Sequence, residues 1–147
     1  MLETDVRSMT WRLALTTIVL AICVGCGGGN GFPKDLARHL AENGITLKVM
    51  RSHAPLNSRG GYVIAQHNVP TANAIVSTFK LRLVPADDPG WKKVSAQWTV
   101  GTQPTAIFAA TGRPTALKLK NGSQFEHLYL VVMGDGTMWL FAEYAYG

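Results

Sequence analysis

Three turn sequences cut the C-terminal third of the chain into apolar runs, and nothing else in the sequence narrows the fold as far. Thr111-Gly112-Arg113-Pro114, Asn121-Gly122-Ser123 and Gly134-Asp135-Gly136 separate the runs 104–110, 116–120, 125–133 and 137–146. Asn-Gly and Asp-Gly accept the positive backbone dihedrals of tight hairpins, because glycine has no Cβ and Asn and Asp tolerate the left-handed region. The runs themselves are rich in Leu, Val, Phe and Tyr, which suit a pleated surface. The expectation is an antiparallel meander. Leu128-Tyr129-Leu130-Val131-Val132-Met133 and Met138-Trp139-Leu140-Phe141-Ala142 are apolar in both phases. Such strands belong at the centre of a sheet, covered on both faces.

Upstream, residues 32–44 carry helix punctuation. Pro33 suits a first turn, Leu36, Ala37, Leu40 and Ala41 share one side, and Asn43-Gly44 supplies a left-handed stop after which Ile45 folds back. Residues 46–52 then alternate as a strand, with Leu47 and Val49 on one face and Lys48 and Met50 on the other. A loop over 53–61 leads to a second strand over 62–66. Ala72, Ile75, Val76 and Phe79 recur at helical spacing, and 79–84 switches to period two. Asp87-Asp88-Pro89-Gly90 is a turn. Asp88 can cap a short helix with Trp91, Val94 and Trp98 on one side, but a strand over 94–100 fits the same residues. The fold class that results is α+β: a mainly antiparallel sheet ending in a C-terminal meander, with two short helices packed on one face.

The first 25 residues read differently. Residues 13–25 are apolar apart from Thr16 and Thr17. A membrane-spanning helix needs roughly 20 apolar residues, whereas the apolar part of a signal peptide needs only about 7–15. In the segment before it, Glu3 and Asp5 offset Arg7 and Arg12; a start at Met9 gives Met-Thr-Trp-Arg and a positive lead. The stretch Leu20-Ala21-Ile22-Cys23-Val24-Gly25-Cys26-Gly27 resembles the lipobox of bacterial lipoproteins, with small Gly25 before Cys26 and Cys23 where the family usually has Leu. The resemblance covers only this leader. It implies cleavage before Cys26, acylation of that cysteine by palmitate-class chains, and a membrane-anchored protein of the cell envelope or periplasm. In that family an Asp after the cysteine retains the protein in the inner membrane, so Gly27 favours the outer membrane where there is one. Ordinary secretion and an uncleaved signal anchor are the competing readings. The division is thus a signal peptide over 1–25, a Gly-rich tether over 26–31 and one globular domain over 32–147.

Removing 1–25 from the 147 residues leaves 122, the size of one ordinary domain. The leader removes two residues of each charge sign, so the net charge stays at +5 with His neutral. Both cysteines precede the domain, which therefore has neither a disulfide nor a thiolate site. A basic exported domain suits anionic lipid or anionic cell-wall polymer as partner, and outside the cytoplasm nucleic acid is not expected.

The sequence shows no catalytic constellation, and neither a cofactor nor a metal site is expected. There is no G-x-S-x-G. His39, His53, His67 and His127 have no second histidine at metal spacing, and Glu126, beside His127 on a strand, points to the other face. Trp91, Trp98, Trp139, Tyr144 and Tyr146 read first as core packing. Lys48, Lys80, Arg82, Lys118 and Lys120 all fall in the polar phase of expected strands. On one shared sheet face they would form a surface for anionic headgroups or polymer, with Arg51 and Arg59 extending it; an ordinary solvated face is the plain alternative. The expected function is a lipid-anchored envelope protein with a small non-catalytic binding or structural domain. The alternative is an envelope enzyme, or an accessory to one, with a site near the loop after the first strand, built from His53, Arg59 and His67.

Overall fold

The computed structural model describes residues 32–56, 58–98, 100, 103–120 and 122–145, without the side chains of Phe32 and Pro33. The expected leader, the lipobox-like segment at Cys26 and the expected tether lie outside the described residues, as do Asn121 and Tyr146. The elements follow one another as α1 (Phe32–Glu42), β1 (Val49–His53), β2 (Gly60–Gln66), α2 (Val69–Thr78), β3 (Arg82–Val84), α3 (Pro89–Trp98), β4 (Pro104–Ala110), a 3-10 turn (Thr115–Leu117), β5 (Phe125–Met133) and β6 (Thr137–Tyr144).

The helix ends are set by local chemistry. Gly44 sits at φ +73, its amide donates to the Ala41 carbonyl, and the Ile45 amide reaches back to Leu40, so two orphan carbonyls of α1 are satisfied. α2 starts where the Asn68 side chain accepts from the Thr71 amide at 3.1 Å. It ends by the same reach-back, Leu81 to Val76, but with Lys80 rather than glycine at positive φ. Asp88 decides between the two readings of the Trp91 region: its carboxylate accepts from the Trp91 amide at 2.9 Å and starts a helix.

The six strands form one sheet in the order β1-β2-β6-β5-β4-β3, every neighbour antiparallel. The chain's last strand therefore lies inside the sheet, between β2 and β5. Calling the Gln66/Thr137 end of β2 upper and the Gly60/Glu143 end lower fixes directions for the rest. α2 leaves the upper end of β2 and returns the chain to the lower end, where Arg82 pairs with Ala109. Gly60 passes so close to β6 that a Cβ there would lie 2.0 Å from the Ala142 carbonyl oxygen, a contact only glycine permits.

Both faces of the sheet are covered. On one, Val63, Ala65, Leu128, Leu130, Met138 and Leu140 meet Leu36 and Leu40 of α1, Ile75 of α2 and Phe79 just beyond it. On the other, Tyr62, Ile107, Tyr129, Val131 and Phe141 meet Trp91 and Val94 of α3. The expected pair of helices on one face is present, and α3 adds a third on the opposite face. The strand expected over 116–120 is replaced by the 3-10 turn and a single bridge between Lys118 and Gln124. Leu117 and Leu119 are buried as the alternation requires, but β5, the strand that follows, already pairs with β4 and β6 and leaves this segment no free edge beside it.

Candidate functional site

At the upper end, the approach to β1, the exit of β2, the first turn of α2 and the start of β6 enclose an open cleft of about 510 Å³. Thr46, Lys48 and Gln66 line one part and His67, Asn68 and Thr71 the rest, with core residues Leu47 and Met138 beneath. No carboxylate lines it. The Asn68 Oδ1 is occupied by the Thr71 amide and hydroxyl, both at 3.1 Å, which leaves its Nδ2 as the outward donor.

The lower end is basic. Arg59 precedes β2, Lys80 and Arg82 follow α2, and Lys118 and Lys120 lie in the loop between β4 and β5. Two of these cations have acidic neighbours: Arg59 lies 3.5 Å from Glu126 and Lys120 lies 3.5 Å from Glu42. Lys80, Arg82 and Lys118 have no ion pair among the described residues. Arg51 lies midway along β1, and Lys48 belongs to the upper cleft. Lys80, Lys118 and Lys120 are outside strands, and helices cover both sheet faces, so the seven cations do not share a sheet face. What five of them share is an end of the sheet. α1 starts at that end too: Asp35 in its first turn accepts a short hydrogen bond from the Tyr144 hydroxyl at the foot of β6. Burial pushes the Tyr144 phenol well above its ordinary range, and the bond to Asp35 and its charge push the same way.

His53, Arg59 and His67 do not converge. His53 pairs with Tyr62 near the lower end, and Arg59 stands at the foot of β2. His67 follows its upper end; eight residues at about 3.4 Å each put Arg59 and His67 on the order of 27 Å apart. His53 instead packs against Tyr62 and Trp98, with ring centroids 5.5 and 5.8 Å away. His39 is buried, within 2.9 Å of the Ala116 carbonyl, and joins α1 to the 3-10 turn.

One polar cluster escaped sequence reasoning. On the α3 face, Nε2 of His127 lies 3.2 Å from Oε2 of Glu143, a close charge contact without the alignment of a hydrogen bond. The His127 contact holds the Glu143 carboxyl below its usual range; burial opposes this, and the charges of His127, Lys93 and Arg59 reinforce it. Tyr129 packs edge-on to His127, and burial followed by the charges of Asp88 and Glu143 raises its phenol. The pair depends on a register shift between Phe125 and His127 that aligns His127 with Glu143, and no local sequence signal announces such a shift. Asp88 is committed to capping α3, and Glu143 to neutralising the cations around it. The chemistry of the cluster is therefore charge balance at the rim of the aromatic core.

Among the described residues no group of three His, Cys, Asp or Glu is placed to hold a metal ion, and no helix is long and apolar enough to cross a membrane. Compared with known proteins, the chain matches no family model, no curated protein and no solved structure.

Proposed function

We propose that the chain is a lipid-anchored cell-envelope protein, acylated on Cys26, whose single domain acts by binding and rests its basic lower end against an anionic surface. The observation that carries this reading is a coincidence of place. The lipobox-like segment and tether precede α1, α1 begins at the lower end, and that end also carries Arg59, Lys80, Arg82, Lys118 and Lys120. A tether of a few Gly-rich residues is too short to lift a domain far from a bilayer. The first surface met would be the one beside the attachment point. Each cation near an anionic bilayer contributes about 1 kcal/mol, so three without ion-pair partners are enough to orient the domain. Trp91 and the other rings of the α3 face serve as core in this reading.

The anchor is tested by the intact mass of protein extracted from membranes. A species beginning at Cys26 and carrying acyl chains is expected; cleavage elsewhere, or a soluble unmodified form, would sink it. Orientation is tested on the extracted protein with its chains removed, by cosedimentation with vesicles. Vesicles rich in anionic lipid should retain it, and the triple change of Lys80, Arg82 and Lys118 to Gln should release most of it. Equal retention on neutral vesicles would remove the electrostatic part.

A further inference from the structure

The upper cleft has no part in that anchoring, and its lining selects a ligand. Five side chains around it, Thr46, Lys48, Gln66, His67 and the Asn68 Nδ2, have no hydrogen-bond or ion-pair partner among the described residues. Several polar groups elsewhere in this domain are tied. Glu42 meets Lys120, Asp35 meets Tyr144, Gln124 donates to the carbonyls of Arg113 and Pro114, and Asp135 accepts from Thr137. The cleft gathers unpaired amides, a hydroxyl, an imidazole and an ammonium around one concavity.

We infer that this cleft is a binding site for a small anionic polyol, a sugar-sized molecule carrying one carboxylate or phosphate among several hydroxyls. Three observations select that class. The volume, about 510 Å³, falls within the range of roughly 300–1,000 Å³ common to small-molecule sites. Lys48 is the cleft's one fixed cation and no carboxylate opposes it, so a single negative charge is complemented. The remaining groups both donate and accept, as hydroxyls require of their partners. A purely apolar ligand would leave the amides unpaired, and a cationic one would meet Lys48 without a counter-charge.

The cleft lies at the far end of β2 from Gly60, about 24 Å away at the rise of a strand. With the basic end on a bilayer, it opens away from the membrane. The inference stands whether or not the anchor does, because it uses none of the lower-end residues.

The test uses the full chain in detergent, titrated with D-glucuronate as probe and followed by calorimetry and by saturation-transfer NMR. D-glucose, D-glucosamine and inorganic phosphate are compared. Binding is open and shallow, so a Kd on the order of 1 mM is expected for glucuronate. Glucose and phosphate should each bind at least about tenfold more weakly, since each offers half of the recognised chemistry, and glucosamine should not bind. Lys48→Glu should abolish glucuronate binding with the melting temperature unchanged, Lys48→Arg should keep it, and Thr46→Trp should block the cleft sterically. No glucuronate binding by the folded wild-type chain overturns the inference. So does binding unaffected by both Lys48→Glu and Thr46→Trp, which places the ligand elsewhere, or equal affinity for glucose and glucuronate, which removes the anion.

Discussion

The two faces of the sheet are buried by different means. One is aliphatic and shares its cover among α1, α2 and the loop carrying Leu117 and Leu119. The other is aromatic and lies under α3 alone. A ten-residue helix is only about 15 Å long, while six strands at about 4.8 Å spacing span some 24 Å between the axes of the outer two. Large rings close the difference. Trp91 reaches Tyr129 and Phe141, with centroids 6.2 and 5.7 Å away, and Trp98 reaches Tyr62 at 5.6 Å. Tyr62 then stacks on Trp139 at 5.2 Å. Each such ring buries about 150–250 Å², so a few of them do the work of a second helix. A face covered by several elements loses stability as a whole when one contact goes. A face under one helix can lose its cover alone.

That contrast can be broken experimentally, and the largest effect belongs to Trp91. Trp91→Ala should cost about 3–5 kcal/mol and release α3, so amide exchange should rise in 89–98 while β5 and β6 stay protected. Uniform loss of protection would show that α3 is no separate unit. Leu130→Ala, at a fully buried position on the other face, should cost about 2–5 kcal/mol and raise exchange throughout the sheet. Asp88→Ala removes only the cap of α3 and should cost about 1 kcal/mol, again confined to 89–98. An unchanged melting temperature would show that the Trp91 and Val94 contacts suffice to start the helix.

The smallest effect is at the rim. Because the Glu143 carboxyl is held below its unfolded value, its contribution is present above about pH 4.5 and is lost as pH falls through the lower folded value. Glu143→Gln should therefore lower the neutral plateau of a stability–pH curve and flatten its acid limb, the two proteins converging at low pH. Identical acid limbs would mean that the His127 contact does not distinguish the two states.

The sequence was most legible where a signal was local. The bounds of β4 and β5 follow from their turns, and the stop of α1 follows from Asn43-Gly44 and Ile45. Residues 116–120 were legible in phase but not in element. Alternation told which side chains are buried, yet a strand also needs a free edge, and that depends on the rest of the sheet. The basic residues failed to align for a related reason: alternation places each outward from its own segment, but only topology says whether the segments lie side by side. Lys48 and Arg82 belong to opposite edges. The His127–Glu143 pair and the upper cleft are products of register and of strand ends meeting, which no window of sequence contains.

The interior position of β6 has a consequence for how the chain is made. Until residues 137–144 are available, β2 and β5 have no common neighbour, and the sheet exists only as two fragments with open edges. Closing it joins partners more than seventy residues apart, Tyr62 with Phe141 among them, a slow kind of contact that exposes apolar edges while it is awaited. The sheet therefore stays open until residues 137–144 have been made.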